Sequence, residues 1–455
     1  MALDVRYVGN TNMSGWTTFN MNNAAQWAMK ENGFYDEYRV AQANLRANII
    51  AGQGNTFAYT GAPGTAPLPI FQAYFAGTPL ADAANKNPAN YTSANYRTSS
   101  WYNNLVMYQN SGAINSAFTG IAGTGTSGLQ NGIGTGTSLD ANRIKAGLPI
   151  NFFMPNPAVA QGNAYMETNG GNTRYNAMQI ELRRRMSQGL LVQGSYSYAF
   201  GRKTWRWDSL RDDTWHYVPS TGAPDHAFKL NWVYELPFGQ GKKWGSGAGT
   251  WLNAIIGGWE WDGVSRVQSG DKFNYGGFRL VGMSDDEFQD IFKFYRETGA
   301  DGKERIYLFP QDVIQNSILA LYTASATSAT GYSGALPTGR YIAPASGPDC
   351  VQYLAGSCPG TAETRIVTGP IYWKVDMSFV KRFQLPRRMV VEARMDLFNV
   401  FDTINFTANG STGPGNMNGM GSSVTAWQVT SAATDVNASQ DPGGRITSFG
   451  LRFTW

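Results

Sequence analysis

From Leu3 to Trp455 the chain returns again and again to one pattern, short runs in which apolar and polar residues alternate. A period of two marks a strand with one greasy and one wet face. The first run is Leu3–Val8. In Arg174–Met186, Met178, Ile180 and Leu182 oppose Gln179, Glu181 and Arg183. In Leu190–Phe200, Val192, Tyr196, Tyr198 and Phe200 oppose Gln193, Ser195 and Ser197. Phe228, Leu230, Trp232, Tyr234 and Leu236 then alternate with Lys229, Asn231, Val233 and Glu235, and Trp259–Val267 is the next run. Trp373, Val375, Met377 and Phe379 face away from Lys374, Asp376 and Ser378; Val391, Ala393, Met395 and Leu397 face away from Glu392, Arg394 and Asp396. The closing run, Arg445–Trp455, sets Phe449, Leu451, Phe453 and Trp455 against Ser448, Gly450, Arg452 and Thr454. The pattern predicts about eight antiparallel strands.

The connections carry a second pattern. Those at 187–189, 237–258 and 384–388 are the shorter set; those at 9–173, 201–225, 270–370 and 402–443 are the longer, and the two sets alternate. Transmembrane β-barrels sort their loops this way, with short turns on the periplasmic side and long loops outside. Within the long loops three helices are expected. Phe34, Tyr38, Ala41, Leu45 and Ile49 recur at helical spacing in Asn32–Ile50. Ser284 and Glu287 form a capping box for a helix to about Tyr295. Pro310 opens another helix that runs through Leu321. The rest of 9–173 reads as irregular, with a glycine–threonine run over Gly120–Gly136.

Composition agrees with a barrel. Of 455 residues only 15% are charged, against roughly 25% in soluble domains, while 13% are aromatic. Mean hydropathy is only −0.32, as it must be when every second strand residue faces water. No run is long enough to be a transmembrane helix. A net charge of +4 without a basic stripe gives no reason to expect nucleic acid. The start at Met1-Ala2-Leu3-Asp4 carries no secretory leader, and alternation begins at once. The expectation is a chain that begins in mid-barrel.

Cys350 and Cys358 sit close together in a Gly/Pro-rich loop and are expected to pair in an oxidising compartment. Candidate chemistry is otherwise thin. His216 and His226 lack a nucleophile motif beside them; Asp208, Asp212 and Asp213 do not have calcium-loop spacing; Gly120–Gly136 has no phosphate-loop lysine. No enzyme, metal or cofactor is expected. Trp205, Trp207, Trp215 and Tyr217 cluster with Arg206, Asp208 and Arg211 in an outer loop. They are either girdle and packing aromatics or a place where a sugar or peptide could stack.

The order polar, any, Gly, any, any, aromatic, any, aromatic in Ser448–Trp455 resembles the assembly signal that hands bacterial outer-membrane proteins to the barrel-assembly machinery, with Ser448, Gly450, Phe453 and Trp455 at its fixed positions. Leu3–Gly9, Tyr175–Arg185, Ser195–Phe200, Glu235–Gly239, Gly258–Gly270, Asp396–Phe406 and the terminal strand together resemble the C-terminal barrel of TonB-dependent receptors, most of all the Oar-like branch. The resemblance implies a barrel of roughly 22 strands with a plug domain, a leader and a TonB-binding segment. None of the last three is present in 1–455. The resulting expectation is an all-β chain: the C-terminal part of an antiparallel transmembrane β-barrel with very long extracellular loops containing short helices. Its partners would be outer-membrane lipid, TonB through the missing N-terminal part, and a bulky nutrient such as an oligosaccharide, peptide or metal chelate. A structural or adhesion barrel without transport is the alternative.

Overall fold

A computed structural model describes the chain except for residues 107–120, 124–127, 133, 135, 158–163, 201–202, 208–214, 220–223, 300, 352–356, 363–364, 387–388, 407–421 and 433–443. One antiparallel sheet dominates. Its first strands are β1 (Ala2–Asn20), β2 (Tyr165–Ser187), β3 (Leu190–Ala199), β4 (Lys203–Trp207), β5 (Trp215–Pro219), β6 (His226–Glu235) and β7 (Trp259–Gln268). Six short strands follow in one excursion: β8 (Lys272–Asn274), β9 (Phe278–Val281), β10 (Tyr295–Thr298), β11 (Glu304–Tyr307), β12 (Tyr341–Pro344) and β13 (Ile366–Thr368). β14 (Tyr372–Gln384), β15 (Val390–Phe398) and β16 (Ile446–Thr454) complete the sheet.

The wall runs β1-β2-β3-β6-β7-β14-β15-β16, each strand antiparallel to the next, and the β4–β5 hairpin continues β2 where β3 stops. Among the described residues β1 pairs only with β2 and β16 only with β15, so the sheet is open at both edges.

Register makes the two faces continuous. Leu3, Val5 and Tyr7 lie opposite Leu182, Ile180 and Met178, which lie opposite Gly194, Tyr196 and Tyr198. The same face carries Leu230 and Phe228 on β6, then Trp261 on β7, Phe379 on β14, and Met395 and Phe449 on the last two strands. Among the described residues nothing covers it at the C-terminal edge: Phe449 is 77%, Leu451 79% and Trp455 89% exposed. The terminal aromatics are therefore not the core of a sandwich. Asp4, Glu181, Ser195, Lys229, Arg266, Lys374 and their neighbours form the other, polar face.

The short connections share one rim. Gln188 and Gly189 both take positive φ, 54° and 79°, as a two-residue hairpin turn matched to strand twist requires. Gly189 accepts from the N–H of Glu235 at the start of the next short connection. That connection holds a helix over Thr250–Ile256, where the sequence pattern gave no helix. The excursions 21–164, 200–225, 269–371 and 399–445 all leave from the opposite rim.

Loop bounds shift accordingly. The first excursion does not span 9–173, because β1 and β2 stay paired from Ala2↔Arg183 to Asn20↔Tyr165. At about 3.3 Å per residue such a ribbon is roughly twice as long as the hydrocarbon is thick. Its outer half has no lipid to face, so it lost the alternation that would have revealed it. The other three long loops keep nearly the expected limits.

The label all-β fits the wall and not the first excursion, whose described residues include the helices α1 (Ala25–Glu31), α2 (Phe34–Ile50), α3 (Pro69–Ala76), α4 (Ser99–Val106) and α5 (Ser138–Lys145), where one had been expected. Four of them are eight residues or shorter; they exist because Phe57, Phe71, Phe75, Tyr96 and Trp101 pack around them, not because of their own periodicity. The Thr250–Ile256 helix is α6, and α7 (Asp285–Ile291) and α8 (Gln311–Tyr322) lie in the long loop before β14. Ser284 and Glu287 close the capping box of α7 reciprocally, at 3.2 and 2.7 Å. It stops at Ile291 and not near Tyr295, since β10 starts there.

Candidate functional site

Two surfaces have the chemistry to meet a solute. The first is the polar face of the wall. Arg6 bonds Asp4 (2.5 Å) on its own strand and reaches Glu181 (3.8 Å) on β2; Glu181 also takes Arg183 (2.5 Å) and Gln193 (3.0 Å). Farther along, Arg382 grips Glu260 on β7 with two bonds, 2.9 and 3.0 Å, and Glu392 on β15 at 2.8 Å. Asp396 accepts from Ser378 (2.7 Å) and Arg394 (2.6 Å). Alternating strand geometry puts all these groups on one side, and cross-strand pairing satisfies them without a covering layer. A hollow of about 300 Å³ opens on this face between Asp4, Arg6, Gln179, Glu181, Ser195 and Lys229.

The second is a cap built by the excursions. A core of Phe34, Tyr38, Phe57, Phe71, Tyr74, Tyr96 and Phe153 fills the first excursion. Another, with Tyr275, Phe288, Phe309, Val313 and Ile342, fills the long loop before β14. They are joined: Ala326 and Val351 of the latter loop pack into the first core, and Trp427 of the last excursion packs into the second.

At the seam lies a groove of about 310 Å³ lined by Tyr35, Arg39, Gln42 and Arg46 on one side and Pro348, Asp349 and Cys350 on the other. The helical residues are spaced so that they share one face of α2, beside its buried stripe Phe34, Tyr38, Ala41 and Leu45. Arg46 donates to the Pro348 carbonyl, and the Tyr35 hydroxyl to that of Val351 at 3.5 Å. Asp349 is held by Nη2 of Arg279, 2.7 and 2.6 Å from its two oxygens. Cys350 and Cys358 are bonded at 2.00 Å with Cα atoms 6.1 Å apart, so the groove's far lip is tied to the chain behind it. Two guanidinium groups on one lip suit an acidic or polyhydroxylic solute.

The sequence-based candidates fall elsewhere. Trp205 pairs with Tyr217 and Trp207 with Trp215 across β4 and β5, above the wall; the side chains of this hairpin, with His216 and residues 208–214, lie outside the described residues, as does much of Gly120–Gly136. Ser448 and Gly450 register with Asp396 and Arg394 on the polar face, whereas Phe453 stacks on Trp455 at 5.7 Å on the apolar one. His226 is structural: its Nδ1 meets the Tyr196 hydroxyl at 2.8 Å and its ring stacks on Tyr198 at 4.4 Å. The groove went unnoticed, although Tyr35, Arg39, Gln42 and Arg46 stand four, three and four apart in the sequence, a polar stripe that helical spacing makes legible.

No helix among the described residues is long and apolar enough to cross a membrane. Among curated proteins none matches this chain. The family model described as "Outer membrane beta barrel domain" matches residues 1–446. With the lipid-ready face, the polar face and the one-sided loops already in view, that match over nearly all of the chain places it: this protein belongs to the outer membrane β-barrel domain family and resides in the outer membrane.

Proposed function

We propose that the chain is wall and cap of a TonB-dependent receptor that takes up a bulky nutrient. The observation that carries this reading is the open sheet with a charged, unlayered inner face. In lipid, unpaired strand edges cost several kcal/mol per unsatisfied group, so β1 and β16 need partners. Closure of these eight strands on themselves would give a barrel just wide enough for side chains to fill. Its interior would then have to hold Asp4, Arg6, Glu181, Arg183, Lys229, Glu260, Arg382, Glu392 and Arg394 at close quarters. Further strands, making a barrel of roughly 22, give those groups a wide wet lumen with room for a plug. The cap groove supplies the capture step: a solute is held at Arg39 and Arg46, then passes along the paired charges of the wall once TonB pulls the plug aside. No bond to the solute is made or broken by this chain.

Deletion of the gene in the producing cell, followed by uptake assays with labelled oligosaccharides, peptides and metal chelates, tests the reading. One class should lose its uptake, and a protonophore should abolish the same uptake in the parent. Unchanged uptake of all three, with loss of surface attachment, would replace the receptor by an adhesion barrel.

A further inference from the structure

The connection between β6 and β7 is an ordered knob, not a simple turn. Trp244 donates its N–H to Pro237 (3.0 Å) and accepts from Gly239 (2.8 Å), while the Gln240 N–H binds Asn253 Oδ1 at 2.7 Å. Gly239, at φ 109°, lets this segment close on the helix: a Cβ there would sit 2.6 Å from the Gly257 Cα. On α6 three apolar residues point away from the protein, while Ile256 turns inward toward Gly245. Trp251 is 88%, Leu252 52% and Ile255 69% exposed, and they share one side of the helix.

The position of α6 is fixed by Lys381. By register Lys381 lies on the apolar face, opposite Trp259 and Ala393, where a bare ammonium would meet hydrocarbon. It is buried instead beneath the end of α6. Its Nζ donates to the carbonyls of Ile255 (3.3 Å) and Gly257 and lies over the rings of Trp259 and Phe383, at 5.3 and 5.0 Å. Trp259 Nε1 also donates to Ile255 O at 2.9 Å. The helix is thus fastened to the outer side of the wall, at the short-turn rim, with its greasy side continuing the lipid-facing band. Exposed Lys243 lies 5.1 Å over the Trp244 ring at the same rim, where a lipid phosphate would meet it.

We propose that the knob 236–258 is a membrane-interface anchor: Trp251, Leu252 and Ile255 enter the periplasmic leaflet, and Lys243 engages phospholipid phosphate. The inference rests on the outer-membrane placement and not on the transport reading. An amphipathic helix in this setting fixes the height and tilt of the wall in the bilayer, as interfacial tryptophan and lysine do for spanning segments. It also explains why a connection on the short-turn side is so long.

The test is nitroxide accessibility in the full-length protein, reconstituted into phosphatidylethanolamine/phosphatidylglycerol vesicles, with heat-modifiable gel migration as proof of folding. W251C, L252C and I255C are each labelled; the native cysteines are bonded to each other and do not react. L451C gives the lipid reference and L336C, on the cap, the aqueous one. The three α6 labels should match L451C, with collision rates favouring oxygen and several-fold lower for a water-soluble nickel chelate than at L336C. K243E should raise their nickel accessibility. Nickel accessibility equal to L336C overturns the proposal, because the helix is then in water. Exclusion of both agents overturns it too, because another protein surface then covers α6. Three positions carry the same expectation, so the loss of one variant to misfolding does not remove the test.

Discussion

β16 and the cap core use the same residues in opposite ways. On β16 and just past it, Phe449, Phe453 and Trp455 stand outward with little beyond the strand to touch them, whereas Phe34, Phe57, Phe71 and Tyr96 are buried among one another at ring distances of 5.1 to 5.7 Å. Aromatic rings are stabilised in either place by leaving water. The wall hands its rings to lipid and keeps its charges on the inside; the cap is an ordinary folded body with apolar interior and polar surface. The difference shows that apolar patterning tells which surface avoids water, not what covers it.

Substitutions separate the two solvents. Phe71→Ala opens a cavity between Phe34, Phe57 and Phe75 and should destabilise the cap by about 3–5 kcal/mol, read as earlier urea-induced loss of protease resistance in 21–164 with wall migration on gels unchanged. Loss of wall and cap together would mean that they fold as one unit and that the contrast is drawn too sharply. Leu451→Arg leaves every protein contact of the cap alone yet places a cation on the lipid face in mid-strand. It should cost about 2–4 kcal/mol in vesicles, with a smaller effect in short-chain detergent. Equal stability in both media would break the assignment of β16 to lipid.

The third difference is one of charge, and it sharpens the comparison within the cap. Glu37 is buried on α2, and burial pushes its carboxyl up from an ordinary 4.5 to about 8, against the pull of the Ile70 and Phe71 N–H groups that it accepts at 2.8 Å each. Between those values the folded chain holds a proton that the unfolded chain has lost, so cap stability falls as pH rises through that window. Glu37→Gln should flatten this slope in denaturant midpoints measured from pH 5 to about 8.5, because glutamine does not titrate. A slope that survives the substitution would assign the titration to another group.

Much of the wall was legible because lipid on one side and water on the other write a period of two directly into the chain. Met178, Ile180 and Leu182 against Gln179, Glu181 and Arg183 needed no partner to be read. The outer half of the β1–β2 ribbon, Asn10–Asn20, was not legible, since both its faces are wet and its pairing is carried by the backbone. Short helices such as Pro69–Ala76 were hidden for another reason: nearly all of α3 is buried, so it shows no polar stripe. The groove was half visible. Its helical lip stands as a stripe on α2, but the opposite lip at Pro348 and Asp349 lies about 300 residues away along the chain and no local spacing announces it.

By itself the sequence determined the lipid-height part of the eight wall strands, their facing and the side on which the long loops emerge, because each depends on a choice between water and hydrocarbon made residue by residue. Only the tertiary structure decided that the loops fold into a joined cap with two cores, that Arg46 meets Pro348, and that Lys381 escapes the lipid face under α6. Those features depend on surfaces far apart in the chain meeting in space, and a contact of that kind leaves no period behind.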